Sequence, residues 1–180
     1  MIIYFFTISI FIENRLLSIG GLEGRERLSS VEVTQVEKNQ SCQVDPFPYA
    51  LMGHSATIIP TGILVCGGYS GSWEKTCKEY YKITATWQSF PSMTTERSYF
   101  DMKFLNQAVW AIGGGGSNEY TQNDSITSMN TLEKYEMHTN VWTNHTIPFY
   151  AFGHCLTKIS QDRLILIGGS EGRSVSEEMR

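Results

Sequence analysis

Short apolar runs recur along the chain, and four of them stop at a pair of glycines. Leu16–Ile19 precedes Gly20 and Gly21, Ile63–Cys66 precedes Gly67 and Gly68, Ala108–Ile112 precedes Gly113 and Gly114, and Leu164–Ile167 precedes Gly168 and Gly169. A run of four or five apolar residues closed by glycines reads as a buried strand. The first glycines of the pairs stand 47, 46 and 55 residues apart. A period of this size, with one lengthened unit, is the signature of a repeated structural unit.

Three further markers keep the same register. Tyr80 and Trp87 are seven residues apart, and so are Tyr135 and Trp142. From Trp87 to Gly113 is 26 residues, as from Trp142 to Gly168, so the extra length of the third unit lies between its glycines and its tyrosine. Gly53-His54 and Gly153-His154 each open the strand that precedes a glycine pair, and the segment from Asn14 to Gly21 parallels that from Asp162 to Gly169 almost residue for residue.

These residues resemble the kelch repeat: an apolar strand, a glycine pair, a variable loop, a tyrosine, about six residues and a tryptophan. The likeness covers essentially the whole chain. It implies an all-β fold, a kelch-type β-propeller sector of four-stranded antiparallel blades, with repeats at 1–48, 49–93, 94–148 and an incomplete 149–180. Glycines at strand ends permit positive φ and let a neighbouring backbone or ring approach closely. Tyr80 with Trp87, and Tyr135 with Trp142, are expected on adjacent strands, filling the seams between blades. The first repeat departs from the pattern, because the register places Thr34 and Ser41 where the aromatic pair would stand. Its Val31–Val36 run still alternates like a strand, and this blade is expected to pack less tightly. Fewer than four periods fit into 180 residues, whereas propellers close with about four to eight blades. The remaining blades are therefore expected from a longer chain or from self-association, since uncovered blade faces need partners.

Composition supports many strands and turns: alanine occurs six times against 16 glycines, and 12% of residues are aromatic. A net charge of −4 is far too mild for a nucleic-acid or anionic-membrane footprint. The apolar segment Met1 to Ile12 is too short to span a bilayer, which needs about 20 residues. Glu13, Asn14 and Arg15 follow it where a signal peptide would have small residues, so it reads as a blade strand. The run from Gly113 to Ser117 lacks the Gly-Lys-Ser/Thr of a phosphate loop. His54, His138, His145 and His154 have no zinc-ligand spacing, and the shared repeat position of His54 and His154 points to a structural hydrogen bond. No catalytic constellation, metal site or cofactor is expected.

Cys66 and Cys77 flank a glycine-rich loop on neighbouring strands and are either disulfide-bonded or two reduced thiols, while Cys42 and Cys155 have no local partner. Glycosylation sequons begin at Asn39, Asn123 and Asn144. Together with the cysteine placement they tilt the reading toward an extracellular protein. The resulting expectation is a non-catalytic module that binds a protein partner through the loops after each glycine pair and the inter-blade loops of the same face. Those are Leu22 to Ser30, Tyr69 to Thr76 and Gly115 to Thr131, with Arg97 and Phe149-Tyr150 nearby. The candidate anchors are Arg25, Arg27, Tyr69, Trp73, Arg97 and Tyr120, side chains of the kinds that dominate interfaces. Alternatives are the substrate-recruiting half of a BTB-kelch ubiquitin-ligase adaptor, or a remnant of a propeller enzyme resembling galactose oxidase.

Overall fold

The computed structural model describes residues 8–116, apart from 13, and residues 127–170. The first sheet comprises β1 (Ile8–Ile12), β2 (Arg15–Ile19), β5 (Val31–Gln35) and β6 (Gln40–Val44), with a small hairpin, β3 (Leu22–Glu23) and β4 (Glu26–Arg27), carried between β2 and β5. The second comprises β7 (Ser55–Ile59), β8 (Gly62–Cys66), β9 (Cys77–Tyr81) and β10 (Thr86–Phe90). In the third, β11 (Asp101–Leu105) pairs with β12 (Ala108–Ile112), and β12 with the second half of β14 (Thr127–Glu136). The first half of β14 takes the two-residue β13 (Gly115–Gly116), and β15 (Val141–Ala151) forms the outer edge. A fourth sheet begins with β16 (Cys155–Lys158) and β17 (Leu164–Ile167). All pairings are antiparallel, and each four-stranded sheet is one blade. The first strands β1, β7, β11 and β16 neighbour one another in order and line a central cavity of about 580 Å³.

A repeated backbone contact joins the blades at their glycine pairs. The N–H of the second glycine donates to a carbonyl just ahead of the next blade: Gly21 to Leu51 at 2.8 Å, Gly68 to Arg97 at 2.7 Å and Gly114 to Ala151 at 2.7 Å. Gly67 and Gly68 adopt φ of +66° and +98°, and a Cβ on Gly67 would stand 2.4 Å from the Arg97 carbonyl oxygen. No larger residue fits there without pushing the blades apart. A second set of contacts runs beside the first: Tyr99 N–H to Gly53 O at 2.7 Å, and Gly153 N–H to Tyr99 O at 2.8 Å.

The inner strands β11 and β16 would leave backbone N–H groups unpaired toward the cavity, and side chains of the preceding blade satisfy several of them. Ser55 Oγ accepts from Met102 N–H at 3.0 Å, Thr57 Oγ1 from Phe104 N–H at 3.1 Å, and Asp101 Oδ2 from Leu156 N–H at 2.7 Å. Ser55 also donates to Asp101 Oδ1 at 3.0 Å, so three blades are linked through one carboxylate.

Aromatic pairs line the seams from the other side. Trp87 lies opposite Tyr80 and Trp142 opposite Tyr135, with ring centroids 5.2 Å apart in both pairs. Each indole N–H donates to a carbonyl of the preceding blade: Trp87 to Asp45 at 3.3 Å and Trp142 to Pro91 at 2.8 Å. The two seams differ in closure. Trp142 is buried with Phe90, Tyr135 and Met102 in one cluster, whereas Trp87 is half-buried. Trp87 borders an apolar cavity of about 190 Å³ lined by Leu17, Val31, Val33, Val44 and Tyr80. Phe90 packs against Tyr135 in a tilted arrangement, ring centroids 4.8 Å apart, and the first blade has Val44 at the matching position, facing Trp87 across that cavity. The missing aromatic pair of the first repeat is not the cause, because Thr34 and Ser41 lie on the face turned away from the second blade, where their hydroxyls bond each other at 2.8 Å. Trp87 therefore does not fill its seam as the repeat pattern alone suggests.

Two substitutions test this account. Val44→Phe should fill the cavity and stabilise the chain by about 1 kcal/mol, measured by denaturant unfolding. Trp142→Ala should cost about 3 to 5 kcal/mol, and Trp87→Ala distinctly less. Equal costs at the two tryptophans would mean that the seams are equally packed.

Candidate interaction face

The loops that follow the glycine pairs and the segments between blades meet on one face. Two-residue bridges sew them together, Met52 to Tyr69, Ser98 to Gly115 and Phe152 to Ser170. Each bridge repeats the same geometry one blade further on, so this face is a row of loops anchored at both ends.

Arg27, Tyr69 and Trp73 come together there. The Arg27 guanidinium lies over the Tyr69 ring, 5.4 Å from its centroid, and Trp73 meets Tyr69 edge to face at 5.3 Å. Arg27 is exposed and the two rings are half-buried, so their outer surfaces remain open to a ligand. Arg27 comes from the β3–β4 hairpin of the first blade, and the rings come from the second. Their loop is held rigidly. Glu74 Oε1 accepts from Ser70 Oγ and Oε2 from Thr76 Oγ1, while Glu74 N–H donates to Gly68 O at 2.9 Å. Cys66 and Cys77, directly opposite each other on β8 and β9, are disulfide-bonded at the neck of the loop. That settles the alternative left open by spacing. Arg25 sits exposed in the turn of the β3–β4 hairpin. Phe149 and Tyr150 are exposed in the last part of β15. Tyr120 and Asn123 lie outside the described residues.

Arg97 is a correction to the expected set of exposed anchors. It is fully buried, with its Nε 3.1 Å from Glu133 Oε1. Nη1 donates to the carbonyls of Gly113 at 2.8 Å and Thr131 at 3.0 Å, and Nη2 donates to Thr131 Oγ1 at 2.9 Å. Glu133 also accepts the N–H groups of Thr94 and Thr95. Burial pulls the guanidinium below its usual pKa range, and the Glu133 carboxylate opposes that shift. The pair fixes the segment between the second and third blades, and the Arg97 carbonyl takes the Gly68 contact. A charged residue near a loop looked like a surface anchor, and nothing in its local sequence marks Glu133, 36 residues away, as its partner.

The histidines also differ from expectation. His54 and His154 are buried, and neither ring makes a full hydrogen bond. Each imidazole instead packs on the first glycine of the preceding blade, where a Cβ on Gly20 would stand 3.2 Å from His54 Cε1 and one on Gly113 3.0 Å from His154 Cε1. Phe100 occupies the matching place against Gly67. Desolvation lowers the His54 pKa to about 4, opposed in part by the nearby Ile19 carbonyl, and also lowers that of His154.

Among known proteins the chain is similar to kelch-like proteins. It is 27% identical over 168 residues to Kelch-like protein 36 of Rattus norvegicus, covering 92% of this chain and 27% of the relative. It is 26% identical over 163 residues to Kelch-like protein 34 of Homo sapiens, covering 86% of this chain and 24% of the relative. Putative protein tag-53 of Caenorhabditis elegans is 27% identical over 139 residues, 72% of this chain and 10% of the relative. The chain thus spans about a quarter or less of the length of these relatives. No family model matches it. The fold and its repeated inter-blade contacts define a propeller-type repeat protein. The glycine pairs, the Tyr-Trp pairs and these relatives identify the repeats as kelch repeats.

Two measurements probe the buried groups. Glu133→Gln leaves the Arg97 charge without its partner and should cost about 3 to 5 kcal/mol in equilibrium unfolding. Lowering the pH should also destabilise the chain. The unfolded state takes up a proton at His54 before the folded state does, so the neutral ring's stabilisation is complete above pH ~6.5. It is lost as pH falls toward about 4. The loss should amount to about 3 kcal/mol, and His54→Phe, which copies position 100, should flatten that part of the profile.

Proposed function

We propose that this chain is a non-catalytic protein-interaction module that recognises a partner protein through the loops of one propeller face. The cluster of Arg27, Tyr69 and Trp73 carries the reading. Exposed arginine and aromatic side chains held in fixed positions are the usual centres of binding energy at protein interfaces, because little conformational entropy is lost when a partner docks on them. Arg25 extends the same surface from the hairpin turn. The likeness to kelch-like proteins supports the interaction role at the level of class. No cofactor, nucleic acid or membrane span enters this reading.

The test compares immobilised wild-type chain with the double variant Tyr69→Ala/Trp73→Ala in capturing proteins from an extract of the source organism, quantified by mass spectrometry. Ile83→Ala serves as control, since Ile83 is exposed in the β9–β10 turn at the opposite end of the strands. The expected result is a set of proteins retained by wild type and control and reduced at least ~10-fold by the double variant, equivalent to about 1.4 kcal/mol or more. Equal capture by all three would overturn the reading.

A further inference from the structure

We infer that Asn39 and Asn144 carry N-linked oligosaccharides and that the chain folds in an oxidising, secretory compartment. Two independent features point the same way. The first is the disulfide between Cys66 and Cys77, both only 1% exposed and packed in the core between the second and third blades. Forming it removes two electrons and two protons from the thiols, which pass by thiol–disulfide exchange to a disulfide-bearing oxidoreductase. That oxidant belongs to the secretory pathway, whereas reducing compartments hold such thiols apart.

The second feature is where the fold places the two described sequons. Asn39 is exposed at the tip of the turn between β5 and β6, with φ of +48°, and Ser41 follows two residues later at the start of β6. Asn144 is exposed near the beginning of β15, the outer edge of the third blade, with the exposed Thr146 two residues further on. Both asparagines therefore face solvent, Asn39 at the strand ends opposite the glycine-pair loops and Asn144 on the outer-edge strand β15. A bulky sugar on Asn39 leaves the interaction face open. The covalent step is the usual one for this sequence. The Asn Nδ2 forms a bond to the anomeric carbon of a polyprenyl-diphosphate-linked oligosaccharide, the bond from that carbon to the diphosphate breaks, polyprenyl diphosphate leaves, and Nδ2 gives up one proton. Asn144 Nδ2 donates to Thr95 Oγ1 at 3.0 Å. A glycosylated amide nitrogen keeps one hydrogen and so can retain that bond.

Peptide mapping of the protein isolated from its source under non-reducing conditions, with and without peptide-N-glycosidase, tests the inference. The expected result is a linked Cys66–Cys77 peptide and conversion of Asn39 and Asn144 to aspartate only after the glycosidase. In secreted expression of the full chain, Asn39→Gln and Asn144→Gln should each remove one glycan-sized step in gel mobility, while Ser41→Thr, which preserves both hydroxyl and sequon, should not. An unmodified Asn39 or Asn144 peptide overturns that site. Unmodified asparagines together with free Cys66 and Cys77 overturn the whole inference. Neither result bears on capture by Tyr69 and Trp73, so the two readings fail separately.

Discussion

The hydrogen bond from the second glycine of each pair to the next blade's carbonyl sets the geometry on which the rest depends. It brings main chain against main chain at the end of a strand, so the approach is closer than any side chain would permit. With that spacing fixed, the first strands stand near enough for Ser55, Thr57 and Asp101 to serve the next blade's N–H groups, and the rings of His54, Phe100 and His154 can lie on glycine. The same contact also directs the chain into the loop that follows. Since each loop starts from an identical anchored point, the loops of successive blades emerge side by side on one face.

Sheet edges are the recurring problem of this architecture. Every blade has an inner edge at the cavity and an outer edge at the rim, and unpaired backbone groups there invite association with other chains. At β11 and β16 the inner edges are capped by side chains reaching from the preceding blade, which converts a liability into adhesion between blades. At the outer edge the longest strand, β15, carries Pro148 and mostly polar exposed residues such as Thr143, Asn144 and His145. Proline cannot donate a ladder hydrogen bond, so it interrupts edge-to-edge pairing there.

Much of this was legible in the sequence because it repeats. The glycine pairs, the Tyr-Trp spacing and the position of Gly53-His54 all mark backbone or seam positions where few residue types work, and such positions recur at a fixed period. The third blade hid one member of the series, since Tyr99-Phe100 stands where its neighbours have Gly-His, and a search by residue identity passes over it. Tyr99 takes the left-handed conformation of its glycine counterparts, with φ of +55°. What the sequence could not show is pairing over long range. Arg97 looked like a surface anchor because its partner Glu133 lies on another strand, beyond the lengthened loop. The cavity beside Trp87 was equally invisible, since it depends on the size of one residue, Val44, on the neighbouring blade.

The Arg27–Tyr69–Trp73 cluster and the cavity-bearing seam are connected. Arg27 belongs to the first blade, while Tyr69 and Trp73 belong to the second, and the seam between those blades is the one that holds the 190 Å³ cavity. A partner that touches Arg27 and Tyr69 together therefore adds contact across the less tightly filled of the two tryptophan seams. Binding energy gained only when the two blades are correctly spaced stabilises that spacing by linkage. Conversely, any change that loosens the seam separates the guanidinium from the ring and weakens the site, even when it lies far from the loops. Blade packing and recognition are thus two readings of one inter-blade distance, which the glycine contact at Gly21 and Leu51 holds in place.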